Sequence, residues 1–371
     1  MLAIGTNFAQ ALTKAWRSVA RGKTLPDRKL RSWETRKLWE QVNRPTHLRL
    51  DAITELLRRS STTVDEIARR THIRRYFIEQ LNAIQLAEKY LEEDGAVNGN
   101  IASAAMKGFT ASQIACAAGL TEEEARNIVK GEGCAAGYRE VDGCAGEFPS
   151  GSGYYYGAPG AGDDPHGDHE GGVVVLGSGP IRIAQGVEFD YCCVKAVEAL
   201  RRRGVRAIMM NVNPETVSTD HDISDALYLE PLTVDDAMPI LEREKAAGVF
   251  ACFGGQTSLR LGLDLASRGV KLFGPGAEVI EAAEDRGQFS RLLARIGVPE
   301  PKGVDVASVE EALEAADRLG YPLMVRPSFV IGASRCAHLR RKGARRSAQR
   351  GLRRGARPES HGRPVPRGPR V

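Results

Sequence analysis

The sequence predicts an α-helical N-terminal domain followed by an open parallel α/β domain. Up to about residue 147, apolar residues recur at helical spacing and no strand pattern occurs. From residue 172, short apolar runs alternate with helical patterns, which is the order that builds a parallel sheet with helices on both faces. A basic tail of Arg, Gly, Ala, Pro and Ser follows residue 332 and cannot build a core, so we expect it to be disordered.

The N-terminal segment carries helix-start signals as well as helical periodicity. Three threonines are each followed three positions later by Glu or Gln, as in a capping box: Thr63 with Glu66, Thr110 with Gln113, and Thr121 with Glu124. The longest helix is predicted over Tyr76 to Leu91. Between residues 149 and 171 the composition shifts to Gly, Pro, Asp and Tyr, which predicts a linker. His166 and His169 lie there among acidic residues, but a Gly-rich linker does not hold metal ligands at fixed geometry, so we predict no metal site.

The α/β segment contains six candidate strands, separated for the most part by helical patterns. The strands are predicted at Val173–Leu176, Ala207–Asn211, Ala226–Leu229, Val249–Phe253, Lys271–Phe273 and Leu323–Arg326. The helices are predicted at Cys192–Arg203, Val234–Lys245, Ser258–Ser267, Arg286–Ile296 and Ser308–Leu319.

Composition excludes several classes of protein. Residues 333–371 hold thirteen Lys and Arg against one Glu, a balance of +12 within a total of +5, which leaves −7 for the rest of the chain. The seven cysteines form no CxxC pair, and their odd number argues against a disulfide framework. No apolar run approaches the roughly 20 residues of a membrane helix, and no signal peptide is evident, so we expect a cytoplasmic protein.

A glycine-rich turn between a strand and a helix marks the most informative part of the sequence, VVVLGSGPIRIAQGVEFDY. Gly177 and Gly179 resemble the start of a dinucleotide fingerprint, but Arg182 stands at the third glycine position. The next strand ends at Asn211 where that fingerprint needs an acidic residue. The pattern therefore argues against nicotinamide binding, although a glycine turn of this kind does bring the backbone close to a small anionic molecule.

Several motifs in fixed order resemble the large chain of carbamoyl-phosphate synthase, from residue 1 to about residue 332. On the α/β segment these are IRIAQGVEFDY, NVNPETVSTD, FGGQT, AEDRGQF and VRPSF, which are similar to the start of the second, carbamoyl-phosphate-forming half. On the helical segment they are IGTNFAQALTKAWRS, RPTHLRLDAITELLRR, and VDGCAGEF followed by YYY, which resemble the oligomerisation domain between the two halves.

This resemblance implies a domain for each segment. Residues 1–22 would end the first ATP-grasp half, 23–148 would form the helical oligomerisation domain, and 149–171 the linker. Residues 172–283 would form a pre-ATP-grasp α/β domain, 284–332 an incomplete second ATP-grasp domain, and 333–371 the disordered Arg-rich tail. Because wrong-frame reading of a GC-rich gene yields Arg, Gly, Ala and Pro, our hypothesis for the tail is a frameshift, with a genuine nucleic-acid-binding tail as the alternative.

The resemblance also implies roles for individual residues. Arg286 and Arg326 match arginines that contact nucleotide phosphates in the second ATP-grasp module, a task that suits a forked, permanently charged guanidinium. Four further residues match positions along the internal tunnel that carries carbamate to the second site: Arg182, Gly186, Glu188 and Glu215. For the two glutamates alone, capping of a helix or turn is the competing interpretation.

The implied reaction is ATP-dependent synthesis of carbamoyl phosphate from bicarbonate and ammonia or glutamine, for arginine and pyrimidine synthesis. ATP and Mg²⁺ or Mn²⁺ are the implied cofactors. In the family a Gly-Gly-Arg stretch and the metal-binding Glu and Asn residues follow the position of Arg326, and this chain departs from that pattern after Gly332. We therefore expect no metal ligands, no complete activity for this chain alone, and no docking of a glutaminase subunit.

Two other functions compete with the enzyme fragment. The first is a non-catalytic scaffold that self-associates through the helical domain. The second is a DNA-binding protein, because FTASQIACAAGLTEEEARNIVKG has the outline of a helix-turn-helix. The would-be recognition helix opens with Glu122, Glu123 and Glu124, which would face phosphates with like charge, so we do not expect nucleic acid to bind.

Overall fold

The computed structural model describes residues 1–20, 28–95, 97, 99–164, 171–181, 186–300, 303–304, 306, 308–325 and 337–339. These residues form two compact units. The first comprises residues 1–181 and 186–273, and the second begins at Gly274. The predicted helical and α/β segments therefore share one unit up to Phe273, and the second unit is described separately below.

The described N-terminal residues form eight α-helices. Their bounds are Phe8–Ala20 (α1), Thr35–Asn43 (α2), Arg49–Arg58 (α3), Val64–Thr71 (α4), Arg75–Asp94 (α5), Asn100–Ala105 (α6), Ala111–Ala118 (α7) and Glu122–Gly131 (α8). A short 3₁₀ helix spans Arg28–Ser32. Buried apolar side chains from α2 to α5, including Leu38, Ile53, Leu56 and Ile78, form one core, and Ile84, Leu91, Ile101 and Ile114 belong to a second.

Two of the three predicted capping boxes are confirmed in full. Thr110 and Thr121 each accept a hydrogen bond from the backbone N–H three residues on, and the side-chain oxygen of the Gln or Glu there accepts one from the backbone N–H of the threonine. Thr63 does accept from the N–H of Glu66 at 3.2 Å. The carboxylate of Glu66, however, accepts from Thr62 at 2.8 Å, so the reciprocal bond is not made there.

Seven strands of the described residues form one sheet in the order β1-β2-β5-β4-β3-β6-β7. Their bounds are Ala136–Glu140 (β1), Tyr154–Pro159 (β2), Val173–Leu176 (β3), Ala207–Met210 (β4), Ala226–Tyr228 (β5), Gly248–Phe250 (β6) and Leu272–Phe273 (β7). Every neighbouring pair is parallel except β1 with β2. Helices Glu188–Arg201 (α9), Val234–Arg243 (α10) and Gln256–Ala266 (α11) connect them, as the alternating pattern predicts.

The two strands at one edge correct the sequence prediction. Residues 154–159, predicted as part of a linker, form β2, and β1 lies where no strand was expected. Both strands contain glycine and tyrosine in place of an apolar run. Contacts with residues far away in the sequence stabilise them as strands. The Tyr155 ring stacks on that of Tyr228 with 5.3 Å between centroids, and β2 pairs with β5 about seventy residues later.

Apolar cores cover both faces of the sheet. Val174, Leu176, Ile208 and Met210 pack on one face with residues of α10 and α11. Val175 and Met209 pack on the other face with Cys193 and Val197 of α9. The β3 and β4 residues are thus buried on both sides, which explains their continuous apolar sequence.

A buried set of ion pairs joins α1 to the α/β sheet. The Lys14 ammonium lies 2.5 Å from Oε1 of Glu230, and each side chain is only 3% exposed. The Arg17 guanidinium donates to both carboxylate oxygens of Asp236, at 2.8 and 3.3 Å, and to the carbonyl of Gly108. Because both basic residues are on α1 and both acidic residues belong to the α/β segment, the two segments cannot separate without exposing or orphaning buried charge.

The second unit contains further helices and a short antiparallel strand pair. Its helices are Ala277–Glu284 (α12), Arg286–Ile296 (α13) and Val309–Leu319 (α14), of which α12 was not predicted. Leu323–Val325 (β8) pairs with Ala337–Leu339 (β9), so a strand lies inside the stretch predicted as a disordered tail. The rest of the tail, residues 340–371, lies outside the described residues, as do His166 and His169. Within the described part of the chain, no helix has the length and apolar character needed to cross a membrane.

Candidate functional site

The carboxyl edge of the sheet gathers most of the described residues that the sequence singled out. From β3 the chain proceeds to β4 and β5 on one side, and then returns to β6 and β7 on the other side of β3. Ligands of open α/β sheets bind outside the carboxyl ends of strands near such a reversal. The Gly177–Gly179 turn after β3 and the 211–220 segment after β4 both lie at this edge.

Asn211, at the end of β4, organises the loops of this edge. It is fully buried, and its Oδ1 accepts hydrogen bonds from the backbone N–H groups of Gly179 at 3.1 Å and of Val212 at 2.9 Å. Its Nδ2 donates to Oγ of Ser218 at 3.2 Å. One side chain therefore ties the glycine turn to the loop that follows the next strand.

Asp190, in the first turn of α9, holds the same loop from the helix side. Its Oδ2 accepts from the backbone N–H of Ser218 at 3.1 Å, and the residue is 4% exposed. Its Oδ1 is buried and makes no hydrogen bond within the described part of the chain. A carboxylate at a helix N-terminus interacts favourably with the helix dipole.

Gly186, Glu188 and Glu215 lie at this edge and are exposed. A Cβ added at Gly186 would collide with Oε2 of Glu188, so the glycine leaves room for that carboxylate. The Glu215 backbone N–H donates to Oδ1 of Asn213 at 3.1 Å, which fixes the turn that presents the Glu215 side chain. The edge therefore offers two accessible carboxylates, one at the start of α9 and one on a loop that buried hydrogen bonds hold in place.

None of the three arginines of the sequence prediction belongs to the described residues of the first unit. Arg182 and Arg326 lie outside the described residues. Arg286 begins α13 in the second unit, where Asp285 caps the helix by accepting from the N–H of Gln288 at 2.8 Å. Their assignment to nucleotide phosphates stays a prediction, and no group of three or more His, Cys, Asp or Glu in the described ranges could hold a metal ion.

Sequence reasoning missed the buried residues that support this edge. In the sequence, Asn211 was noted only because it replaces an expected acidic residue. Asp190 and Ser218 were noted only as parts of longer motifs. A usable signal was present, because Asn, Asp and Ser placed directly after apolar strands or at helix starts are the residues that bond backbone N–H groups.

Glutamates at the start of α8 make contacts within this chain. Glu124 completes the capping box with Thr121, and Glu122 pairs with Arg268 at 3.2 Å. These contacts account for two of the three successive glutamates as features of the fold, which weakens the helix-turn-helix interpretation.

Comparisons with known proteins identify three successive domains. Residues 1–133 match the family model of the carbamoyl-phosphate synthetase large chain, oligomerisation domain. Residues 169–282 match the carbamoyl phosphate synthase preATP-grasp domain, and residues 285–345 match the carbamoyl-phosphate synthase L chain, ATP binding domain.

Proteins that are similar to most of this chain are named carbamoyl phosphate synthase large chain. The carbamoyl phosphate synthase large chain of Thermoanaerobacter pseudethanolicus is 41% identical over 335 residues, covering 90% of this chain and 31% of that protein. That of Acidobacterium capsulatum is 40% identical over 343 residues, with the same two shares. Among solved structures, N5-carboxyaminoimidazole ribonucleotide synthetase from Thermus thermophilus is similar at a TM-score of 0.36 and 20% identity, over 53% of this chain and 45% of that one, too weak a likeness to bear on function.

The chain thus spans about a third of the length of these relatives, 31% in each case, and three family models match it in succession. It belongs to the family of carbamoyl phosphate synthase large chains, of which it contains the oligomerisation domain, the preATP-grasp domain and part of the ATP-binding domain.

Proposed function

We propose that this chain is a segment of a synthase that makes carbamoyl phosphate from bicarbonate and ammonia or glutamine with ATP. The observation that carries the proposal is the ordered match of three domains at about 40% identity over 90% of the chain. We further propose that this synthase serves arginine and pyrimidine synthesis. The proposed location is the cytoplasm. ATP and Mg²⁺ or Mn²⁺ are the proposed cofactors of the whole protein.

Within this function, the carboxyl edge of the sheet would line the passage of carbamate. Gly186, Glu188 and Glu215 support this role because they lie exposed at one edge, with Glu188 in the first turn of α9 and Glu215 on the loop that Asn211 and Asp190 hold. Glycine has no side chain and so leaves the passage wide enough for a small molecule. Carboxylates and backbone N–H groups can form hydrogen bonds with a polar intermediate. Arg182 would join them, and Arg286 and Arg326 would clamp nucleotide phosphates.

The purified 371-residue chain tests the first part of the proposal. Because it spans 31% of its relatives, we expect no carbamoyl phosphate from ATP, bicarbonate and ammonium or glutamine. Full synthase turnover by this chain alone would contradict the fragment assignment. A glutaminase subunit is likewise not expected to bind it, which co-purification would check.

The passage role needs a complete enzyme. A chimaera is made in which residues 1–325 replace the matching segment of the Thermoanaerobacter pseudethanolicus large chain. In this chimaera, Glu215→Gln should lower carbamoyl phosphate formation about tenfold, or about 1.4 kcal/mol, while bicarbonate-dependent ATP hydrolysis persists. Glu123→Gln, at an exposed glutamate of α8, is the matched control. Equal rates for the two variants would remove Glu215 from the proposed passage.

A self-associating scaffold is the second candidate, and it is compatible with the first. It is favoured by the match of residues 1–133 to an oligomerisation domain. Size-exclusion chromatography with light scattering on the full chain should then show a dimer or larger species. A strict monomer at high protein concentration would contradict it.

A further inference from the structure

Three cysteines converge on one region of the carboxyl edge, beside the reversal of strand order. Cys192 and Cys193 lie in the second turn of α9, and Cys252 follows β6. Cys193 is fully buried, Cys252 is partly buried and Cys192 is exposed. The function proposed above uses none of these thiols.

The residues around Cys252 place the loop after β6 beside α9. Val249 and Ala251 pack into the core on the opposite face, whereas Phe250 packs into the same cluster as Cys193 and Val197 of α9. Phe253, directly after Cys252, also packs in the α9 cluster. Cys252 therefore lies on a short segment between two residues, Phe250 and Phe253, that contact this cluster.

The geometry of α9 directs Cys192 toward β6. Asp190 contacts the loop after β4, on one side of β3. Successive residues of an α-helix are turned by about 100°, so Cys192 lies about 200° around the helix from Asp190. It therefore occupies the opposite flank of α9, on the side of β3 where β6 lies.

Direct contacts bring the loop after β6 against the start of α9. A Cβ added at Gly255 would lie 3.2 Å from the ring of Phe189, which is three residues before Cys192 and on the same side of the helix. The Sγ of Cys193 donates to the Leu176 carbonyl at 3.7 Å, and Gly254 packs against that same carbonyl. Burial raises the pKa of the Cys252 thiol, a backbone hydrogen bond lowers it, and the charge of Cys192 raises it further.

The three thiols differ in reactivity. Burial raises the pKa of Cys193 to about 12, and with no exposed surface this thiol is inert. The exposed thiol of Cys192 is open to reagents in solution, and the partly buried Cys252 is a candidate for the resolving thiol.

We propose that Cys192 and Cys252 are a reversible disulfide-forming pair that responds to a disulfide oxidant such as glutathione disulfide. The Cys192 thiolate attacks one sulfur of the oxidant, forming a mixed disulfide and releasing one glutathione thiolate. The Cys252 thiolate then attacks the Cys192 sulfur, forming the Cys192–Cys252 bond and releasing the second glutathione thiolate. Two protein thiols are oxidised, two glutathione molecules are formed, and the two protons released from the cysteines are taken up by them.

The disulfide would link α9 to the loop after β6 and so lock this end of the sheet. The experiment treats the dilute, full-length chain with glutathione disulfide, blocks remaining thiols with N-ethylmaleimide, and maps peptides by mass spectrometry. We expect a peptide pair joined through Cys192 and Cys252 that a reductant separates. Cys116 and Cys144, two other exposed thiols, should carry glutathione or N-ethylmaleimide.

Two variants decide the assignment. Cys252→Ser should abolish the cross-linked pair and trap glutathione on Cys192, whereas Cys116→Ser should leave the pair intact. The proposal is overturned if Cys192 in the unmodified chain carries glutathione as it does in the Cys252→Ser variant, pairs with Cys193, or stays reduced. Because Cys192 is exposed and Cys252 partly exposed, both can be probed without unfolding the chain. The outcome is independent of synthase activity.

Discussion

At the scale of single residues, buried polar side chains perform tasks that no apolar residue could perform. Asn211 satisfies backbone N–H groups of two loops at once, and Glu230 accepts from both Lys14 and the backbone N–H of Gly157, at 2.5 and 2.7 Å. Burial raises the pKa of the Glu230 carboxyl, against the lowering effect of Lys14. Removing either residue would leave buried partners unsatisfied, which costs more than a hydrogen bond contributes.

Asn211→Ala should destabilise the chain by about 2–4 kcal/mol, because it orphans several buried groups together. Ser218→Ala removes only the acceptor of the Asn211 Nδ2 group and should cost about 1 kcal/mol. Urea unfolding of both variants at neutral pH measures the difference. Equal costs for the two variants would show that Asn211 is not the residue that organises this edge.

Lys14→Met should cost about 3–5 kcal/mol, because it leaves the Glu230 carboxylate charged and buried without its ammonium partner. Adding Glu230→Gln removes that charge and should recover part of the loss, which a double-mutant cycle of urea unfolding will measure. The cost of Lys14→Met should also shrink as the pH is lowered, since a protonated Glu230 carries no buried charge. A cost below about 0.5 kcal/mol would contradict the role of this pair.

At the scale of elements, α5 is tied to the N-terminal helices by charge. Glu92 accepts from Arg31 at 2.7 Å and also pairs with Arg58. Burial raises the pKa of the Glu92 carboxyl, but the hydrogen bonds from the two arginines outweigh burial and hold it below its ordinary value of 4.5. The stability that Glu92 contributes is therefore present above pH 4.5 and is lost as the pH falls through the pKa of the folded state.

Glu92→Gln should accordingly cost about 1 kcal/mol at neutral pH, and the cost should stay constant down to about pH 4.5 and shrink below it. Glu93→Gln is the matched control, because Glu93 is 57% exposed and pairs with Lys89 only at 3.8 Å. Urea unfolding at several pH values measures both. A pH-independent cost for Glu92→Gln would contradict this account.

The strands show how far a local pattern predicts an element. The apolar runs at β3, β4 and β5 predicted those strands to within a residue or two, because parallel strands buried on both faces need apolar side chains throughout. β1 and β2 carry glycines because other groups approach closely: a Cβ at Gly137 would collide with the Ala161 carbonyl. In isolation, such a composition is typical of a turn or a linker.

At the scale of the whole molecule, the first unit should unfold as one cooperative body, although the sequence predicted separate domains. All three tryptophans, Trp16, Trp33 and Trp39, belong to the helical segment, so tryptophan fluorescence reports on that segment alone. Hydrogen exchange in Val173–Leu176 reports on the sheet. Because α1 is bound to the sheet through Lys14 and Arg17, we expect both probes to share one urea midpoint.

Lys14→Met provides the test of that coupling. In this variant both midpoints should shift downward together, since the lost ion pair belongs to the contact between the two segments. Separate midpoints in the unmodified chain, with the helices unfolding first, would show that the helical segment is an independent domain.

Local patterns of the sequence predicted the class of fold, the order of most of its elements and the family, because apolar periodicity, helix caps and ordered motifs can be read without the tertiary structure. The tertiary structure decided which distant residues meet. It recruited β2 into the sheet, paired Lys14 and Arg17 with acids more than two hundred residues away, and made Asn211 and Asp190 the supports of the carboxyl edge. These pairings depend on burial that many separate segments create together, and no local pattern along the chain records that burial.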